Sequence, residues 1–336
     1  MREFHGAHSA FPRLPSSSAS AVLHGLQGQL DSVRRFYDEY GPTPRLCFDY
    51  LQSPTELKSF QRRRRKEIAK LSLEYLVDFV KGDIQLDVSH TIFLVRRPDV
   101  DNLEDYIVEP ITDTVGVLLR RQLMKAEWKE QVLAYKKMAR TQDSRPWAGR
   151  VFEAMALGQL QKEVELDLVP MTRQPVSGNT LPRCTPQDNN VGVSSSTAPN
   201  AGDAAKVPTS IKFKPKETIT YDSLPKICLT DVFYVPNAPN QVGFDSFILH
   251  DTILFMFQMT IASEHKIKRG IMKPFSNKTL KAAQLRFIFV VPPGGTTECP
   301  ESKDEKLKKF WKKAEVMPLF TAEFDSRNYT GLELED

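Results

Sequence analysis

In the segment Gly243–Lys268, GFDSFILHDTILFMFQMTIASEHKIK, an aspartate heads one apolar run and a polar pair sits near the tail of the next. The runs DSFILH and TILFMF, separated by a short link containing Asp251, predict a tight antiparallel hairpin. Side chains alternate along a strand, so Gln258 and Thr260 share one face and Met259 takes the other. An Asp opposite a polar-x-polar pair is the layout of a metal-dependent nuclease core. In that chemistry carboxylates hold magnesium, the ion offsets charge gathering on phosphorus, and a lysine helps to orient the attacking water.

Three positions are expected to converge as metal ligands: Glu153 from an upstream helix, Asp245 after the Gly243 turn, and Gln258 through its neutral carbonyl. Thr260 adds a hydroxyl. Neither Gln258 nor Thr260 is an efficient base near neutral pH. Lys266 and Lys268 follow the strand as candidate cations. Plain structural uses stand beside these roles. Glu153 suits a helix surface, Asp245 suits a turn beside glycine, and both lysines suit open solvent. Gln258 interrupts a strand that otherwise reads as buried, so its amide needs a partner, in a site or as a structural bridge.

The elements that must position these groups follow from periodicity. An apolar stripe of Val22, Leu23, Leu26, Leu30, Val33 and Phe36 predicts a helix over residues 21–40, stopped by Gly41 and Pro42. Ser53-Pro54 followed by Glu56 predicts a capped start for a second helix running to Gly82. That helix carries the basic run Arg62–Lys66, which reads either as a solvated face or as a phosphate contact. Residues 90–97 read as a strand, 112–140 as one long helix or two with a break, and 148–161 as the helix bearing Glu153. Strands are expected at KEVELDLVPM, IKFKPKETI, KICLTDVFYVP, DSFILH, TILFMFQMT and LRFIFVVPP, with helices near 277–284 and 303–313, the latter followed by MPLFTAEFD. Residues 171–209, rich in Pro, Ser, Thr, Asn, Gly and Ala, read as a disordered insertion. The order fits an α/β fold, a mixed sheet with helices on both sides, preceded by a mostly helical module.

Composition bounds the partners. The chain has 336 residues, formal net charge +4 and 40% apolar residues, which suits folded domains and permits nucleic-acid contact without demanding it. It holds no apolar run of membrane-spanning length, so no membrane partner is expected. The scattered Cys47, Cys184, Cys228 and Cys299 have neither zinc-ligand spacing nor disulfide-scaffold density. The N-terminus lacks the apolar core of a conventional signal peptide, and no Walker A motif is present.

The stretch YVPNAPNQVGFDSFILHD, followed by ILFMFQMTIASEHKIK, resembles the end region of Crinkler-type effectors and retrotransposon hot spot-like proteins. The resemblance runs from GRVFE to VVPP. It implies a restriction-endonuclease-like domain, with the helix acid at Glu153, the metal-binding acid at Asp245, and the Glu/Gln-x-Lys pair on Gln258 and Thr260. Threonine in place of lysine leaves two readings: a Mg2+-dependent DNA nuclease, or a catalytically inactive nuclease-fold effector or interaction module. The resemblance also implies DNA, host proteins or nuclear proteins as partners. It further implies a nuclear or cytoplasmic location, with secretion into a host. A weaker resemblance, of FYDEYGPTPRLCFDY to the Gly-x-x-Pro-Arg segment of NTPase modules, maps a nucleotide-sensing arginine onto Arg45. No nucleotide is expected to bind this chain alone, which reads as the tail of a longer NTPase–nuclease architecture. The expected organisation is a flexible leader over 1–19, a lid-like helical module over 20–143, and the nuclease-like domain over 144–336.

Overall fold

The computed structural model describes residues 30–42, 53–82, 89–96, 107–174, 183–186, 210–237, 243–267, 284–300 and 319–323. The expectations for residues 1–19, Arg45, Lys268, the helix over 277–283 and the charged helix over 303–313 lie outside them. The chain is a mixed α/β protein with a multi-stranded mixed sheet and several helices. It separates into two compact units at Arg64/Arg65. Within the second unit, helices before residue 143 share a hydrophobic core with the helix that follows it.

In the first unit, helix α1 (30–40) contributes Phe36 and Tyr40 to a small aromatic cluster with Phe60. The Arg64 guanidinium lies over the Tyr40 and Phe60 rings at 5.0 and 5.5 Å, where its charge meets the negative ring faces. Leu30 and Val33, expected in the buried stripe, are exposed. The amphipathic pattern therefore overstates how much of α1 is covered.

Helix α2 (Pro54–Lys70) starts as its sequence predicts, with Ser53 Oγ accepting the Glu56 amide at 3.4 Å. The single helix expected to reach Gly82 is instead two, because α3 (Leu73–Lys81) begins afresh. Ser72 is the reason. Its side chain takes the Tyr75 amide at 3.1 Å and caps a new helix. Gly82 ends α3 at φ 84°, its amide reaching the Asp78 and Phe79 carbonyls.

The strand expected over residues 90–97 is shortened to a helical turn α4 (Ser89–Ile92) and strand β1 (Phe93–Arg96), paired with β2 (Ile107–Pro110). Three longer helices follow: α5 (Asp113–Leu123), α6 (Trp128–Ala139) and α7 (Arg145–Leu160). Helix α7 is buried almost all round. It gives Trp147, Val151 and Met155 to the helical core and Phe152, Leu157 and Leu160 to the sheet, so it has no polar stripe to show. Trp147 Nε1 donates to the Val108 carbonyl at 2.7 Å and fixes the start of α7 to β2.

The remaining strands are β3 (Val164–Gln174), β4 (Arg183–Pro186), β5 (Ser210–Phe213), β6 (Glu217–Tyr221), β7 (Val232–Pro236), β8 (Ser246–His250), β9 (Ile253–Met259), β10 (Gln284–Val291), β11 (Cys299–Pro300) and β12 (Leu319–Glu323). They form one sheet in the order β11-β4-β3-β12-β10-β9-β8-β7-β6, with β5 also on β3. Residues 171–174 and 183–186 were expected inside a disordered insertion but pair as antiparallel strands. The short segment RCTP gives no period to read, and backbone pairing with β3 and the packing of Cys184 against the core place it. The rest of the insertion, 175–182 and 187–209, falls outside the described residues. Gln284 likewise belongs to β10 rather than to a preceding helix.

Around the candidate residues, β7-β8-β9 is an antiparallel meander and β10 lies parallel to β9. The β8–β9 turn holds Asp251 at φ 51°, as an Asp in a tight link tolerates. Phe255, Phe257 and Met259 pack with Phe152 and Leu157 of α7, while Leu254 and Met256 pack with Phe247 and Phe287 on the opposite face. Burial on both faces explains why β9 reads as almost continuously apolar.

Strand β7 begins later than its apolar run because Asp231 turns the chain at φ 62°. The Asp231 carboxylate meets His250 Nδ1 at 2.6 Å and Lys216 Nζ at 2.9 Å. These partners, His250 first, hold the carboxyl below its usual range. Its contribution to stability is therefore present above the ordinary carboxylate value of about 3.9 and is lost as pH falls below it. Asn tolerates the same backbone, so Asp231→Asn isolates the charge. The substitution is expected to cost about 1 kcal/mol at pH 7. In urea titrations at pH 7 and pH 3, the gap from wild type should shrink at the lower pH.

Candidate functional site

The hairpin register pairs Ser246 with Phe257, which brings Asp245 to the open end of β8 and β9 beside Gln258. The Asp245 amide donates to the Phe257 carbonyl at 2.8 Å and extends the ladder by one residue. Asp245 Oδ2 accepts from Gln258 Nε2 and from the Met259 amide, both at 2.7 Å. The polar interruption of β9 thus has its partner, and that partner is the aspartate singled out with it.

Glu153 arrives from α7, one residue beyond the Phe152 that packs on the sheet. Its Oε1 accepts from Arg120 Nη1 at 2.8 Å, with the two side chains only 21% and 10% exposed. Arg120 Nη2 donates to the Pro236 carbonyl at 2.8 Å. One guanidinium therefore ties α5 to α7 and to the last residue of β7. Next to it, the exposed Arg121 reaches Asn237 Oδ1 at 2.8 Å.

The charges of this cluster act on one another. Burial pushes the Asp245 carboxyl well above the usual carboxylate range, and the negative charge of Glu153 adds to that push. The Met259 amide, the Arg120 charge and the Gln258 amide oppose it without cancelling it. Arg150 also lies close. Burial lowers its guanidinium from the usual value, against the pull of Glu153, Glu109 and Asp113. Its charge sits 5.6 Å from the Trp147 ring centroid. Arg120, Arg150, Glu153, Gly116 and Trp147 line a pocket of about 10 Å³, close to the space of one water.

Not every expected residue joins the cluster. Thr260 is buried, but its Oγ1 accepts the Ala262 amide at 3.1 Å and its own amide donates to Val290 at 3.0 Å. The hydroxyl thus shapes the exit from β9. Lys266 is 70% exposed and pairs with Glu264 at 3.5 Å, apart from the cluster. Lys268 lies outside the described residues. Arg120 was not anticipated. A signal existed, since Arg120 shares a helical stripe with Val115, Gly116, Leu119 and Leu123, all buried. A cation inside an apolar stripe requires a buried partner.

Among the described residues, no group of three or more His, Cys, Asp or Glu is placed to hold a metal ion. The candidate set is two carboxylates and one amide, hard oxygen donors of the kind magnesium takes. Arg120 already supplies positive charge to both carboxylates, by contact with Glu153 and through space to Asp245. The counter-charge that this donor set has in the structure is thus the Arg120 guanidinium. No helix among the described residues is long and apolar enough to cross a membrane. No family model, curated protein or solved structure matches the chain.

Proposed function

We propose that the sheet and α7 form a restriction-endonuclease-like domain of the Crinkler type, and that Glu153, Asp245 and Gln258 hold Mg2+ for hydrolysis of DNA phosphodiester bonds. The observation that carries this reading is the pairing of Asp245 with Gln258 at one end of a two-stranded ladder, with Glu153 close enough for its charge to act on Asp245. The strand order supports it, with a helix bearing an acid, then an antiparallel meander, then a strand parallel to the last. The ion when bound would polarise the scissile phosphate and offset its developing charge. Asp245 and Glu153 would bind through carboxylate oxygens. Gln258 would orient Asp245 and offer its carbonyl. Arg120 would hold Glu153 in place and add positive charge beside the phosphate. Nuclear action on DNA goes with this reading.

A second reading, a nuclease fold without cleavage that serves as an effector or interaction module, is favoured by one observation. The position that would carry the lysine holds Thr260, whose hydroxyl is engaged by the Ala262 amide. Incubation of the purified chain with supercoiled plasmid and with single-stranded DNA, in Mg2+ and in Mn2+, separates the two. Metal-dependent nicking that EDTA stops supports the nuclease. Intact substrates under every condition support the inactive module.

A further inference from the structure

The outer face of α2 is dominated by cations, with only the small, uncharged Thr55, Ser59 and Ala69 between them. Lys58, Arg62, Arg63, Arg65, Lys66 and Lys70 are all exposed on this helix. At 100° per residue they cover about 160° of the helix circumference, over about 18 Å of its length. The two acids of the helix, Glu56 and Glu67, fall outside that arc, to one side of it. The opposite side carries the buried Phe60, Arg64 and Ile68. Arg64 is the one member of the Arg62–Lys66 run turned inward, onto the Tyr40 and Phe60 rings. Of the outward six, Lys70 pairs with Glu67 at 2.9 Å, and the Arg63 guanidinium lies 5.9 Å from the Phe60 ring centroid. Among the described residues, Lys58, Arg62, Arg65 and Lys66 have no ion-pair partner. The arrangement follows from the geometry of one continuous helix.

We propose that this face of α2 binds the phosphate backbone of nucleic acid. A row of like charges without interleaved carboxylates repels itself and is relieved by a polyanion of matching spacing. Duplex DNA presents one phosphate per about 3.4 Å of each strand, so a face of about 18 Å spans about five phosphates on one strand. An anionic membrane is the poorer fit. Interfacial helices hold themselves in a bilayer by an apolar face, and the apolar face of α2 is already covered by the protein's own core. A face of cations without an amide or carboxylate among them pairs with phosphate whatever the base sequence, so the proposed contact is with the backbone. This inference does not rest on cleavage.

The test uses the full chain in EDTA, which removes any cleavage, with a fluorescent 30-base-pair duplex of random sequence titrated across salt concentrations. Wild type should bind with a log K against log salt slope of about −4, from four to five phosphate contacts at about 0.9 each. Replacing Lys58, Arg62, Arg65 and Lys66 together by Gln, a good helix former, should weaken binding at 100 mM salt at least tenfold. The slope should also fall by about 3.6, from four lost contacts at about 0.9 each. Arg62→Lys with Arg65→Lys should keep the wild-type affinity and slope, which separates charge from fold. An unchanged slope in the Gln variant would overturn the proposal. So would absence of duplex binding by wild type at 50 mM salt, or tighter binding to phosphatidylserine vesicles than to the duplex.

Discussion

Asp245→Asn is expected to lower metal-dependent cleavage by at least about 100-fold, since a lost carboxylate ligand should cost no less than the upper end of the range for groups that only orient a ligand, and to make the fold more stable at neutral pH. Both effects come from one environment. The carboxyl is deprived of water and lies near Glu153, so its folded-state pKa is raised well above the usual value. For an acid shifted upward, the unfolded chain ionises first. The native state is therefore penalised as pH rises from the ordinary carboxylate value of about 3.9 through the raised folded value, and the penalty is complete above it. Asn carries no charge and nearly the same shape. Its carbonyl can accept the Met259 amide, and a flip of the Gln258 amide satisfies its NH2 group. In paired thermal melts, Asp245→Asn should exceed wild type at pH 7.5 and the gap should close near pH 3.5. A variant less stable than wild type at pH 7.5 would show that the carboxylate is there for structure.

Arg120→Ala is expected to cost about 3 kcal/mol of stability, because it removes one partner of a buried ion pair and leaves the other without its counter-charge. Glu153 would lose its partner at 2.8 Å and the Pro236 carbonyl its donor at 2.8 Å. The loss also strips from Asp245 one of the charges that favour its ionised form. Glu153→Gln should cost less, since Arg120 keeps the Pro236 carbonyl and still faces Asp245. The double variant should fall short of the sum of the two single losses, because the partners act as a unit. Urea unfolding of the four proteins measures this coupling. Additive losses would show that Arg120 and Glu153 do not depend on each other.

Local chemistry made part of this molecule readable. The hairpin of β8 and β9, the turn at Asp251, the cap at Ser53 and the stop at Gly82 each follow from residue types at short spacing. So does the meeting of Asp245 with Gln258, because a two-stranded ladder fixes which residue faces which. Contacts between distant segments were not legible. Arg120 and Glu153 are 33 positions apart and on different helices, and Arg120 reaches Pro236 across 116. No local pattern records such a partner, although a cation in an apolar stripe announces that one exists. The break at Ser72 was hidden because the apolar pattern continues through it. Strand β4 was hidden because backbone pairing needs no period in the side chains. Thr260 shows the reverse error. Strand alternation put it beside Gln258, but β9 ends at Met259 and the hydroxyl turns to the Ala262 amide.

Calorimetric titration of wild type and Asp245→Asn with Mn2+, at pH 7.5 and without DNA, tests the central claim most directly. The account predicts one Mn2+ per wild-type chain and binding at least about 100-fold weaker in the variant. Equal, negligible heats from both proteins would contradict it and leave Glu153, Asp245 and Gln258 as parts of a scaffold.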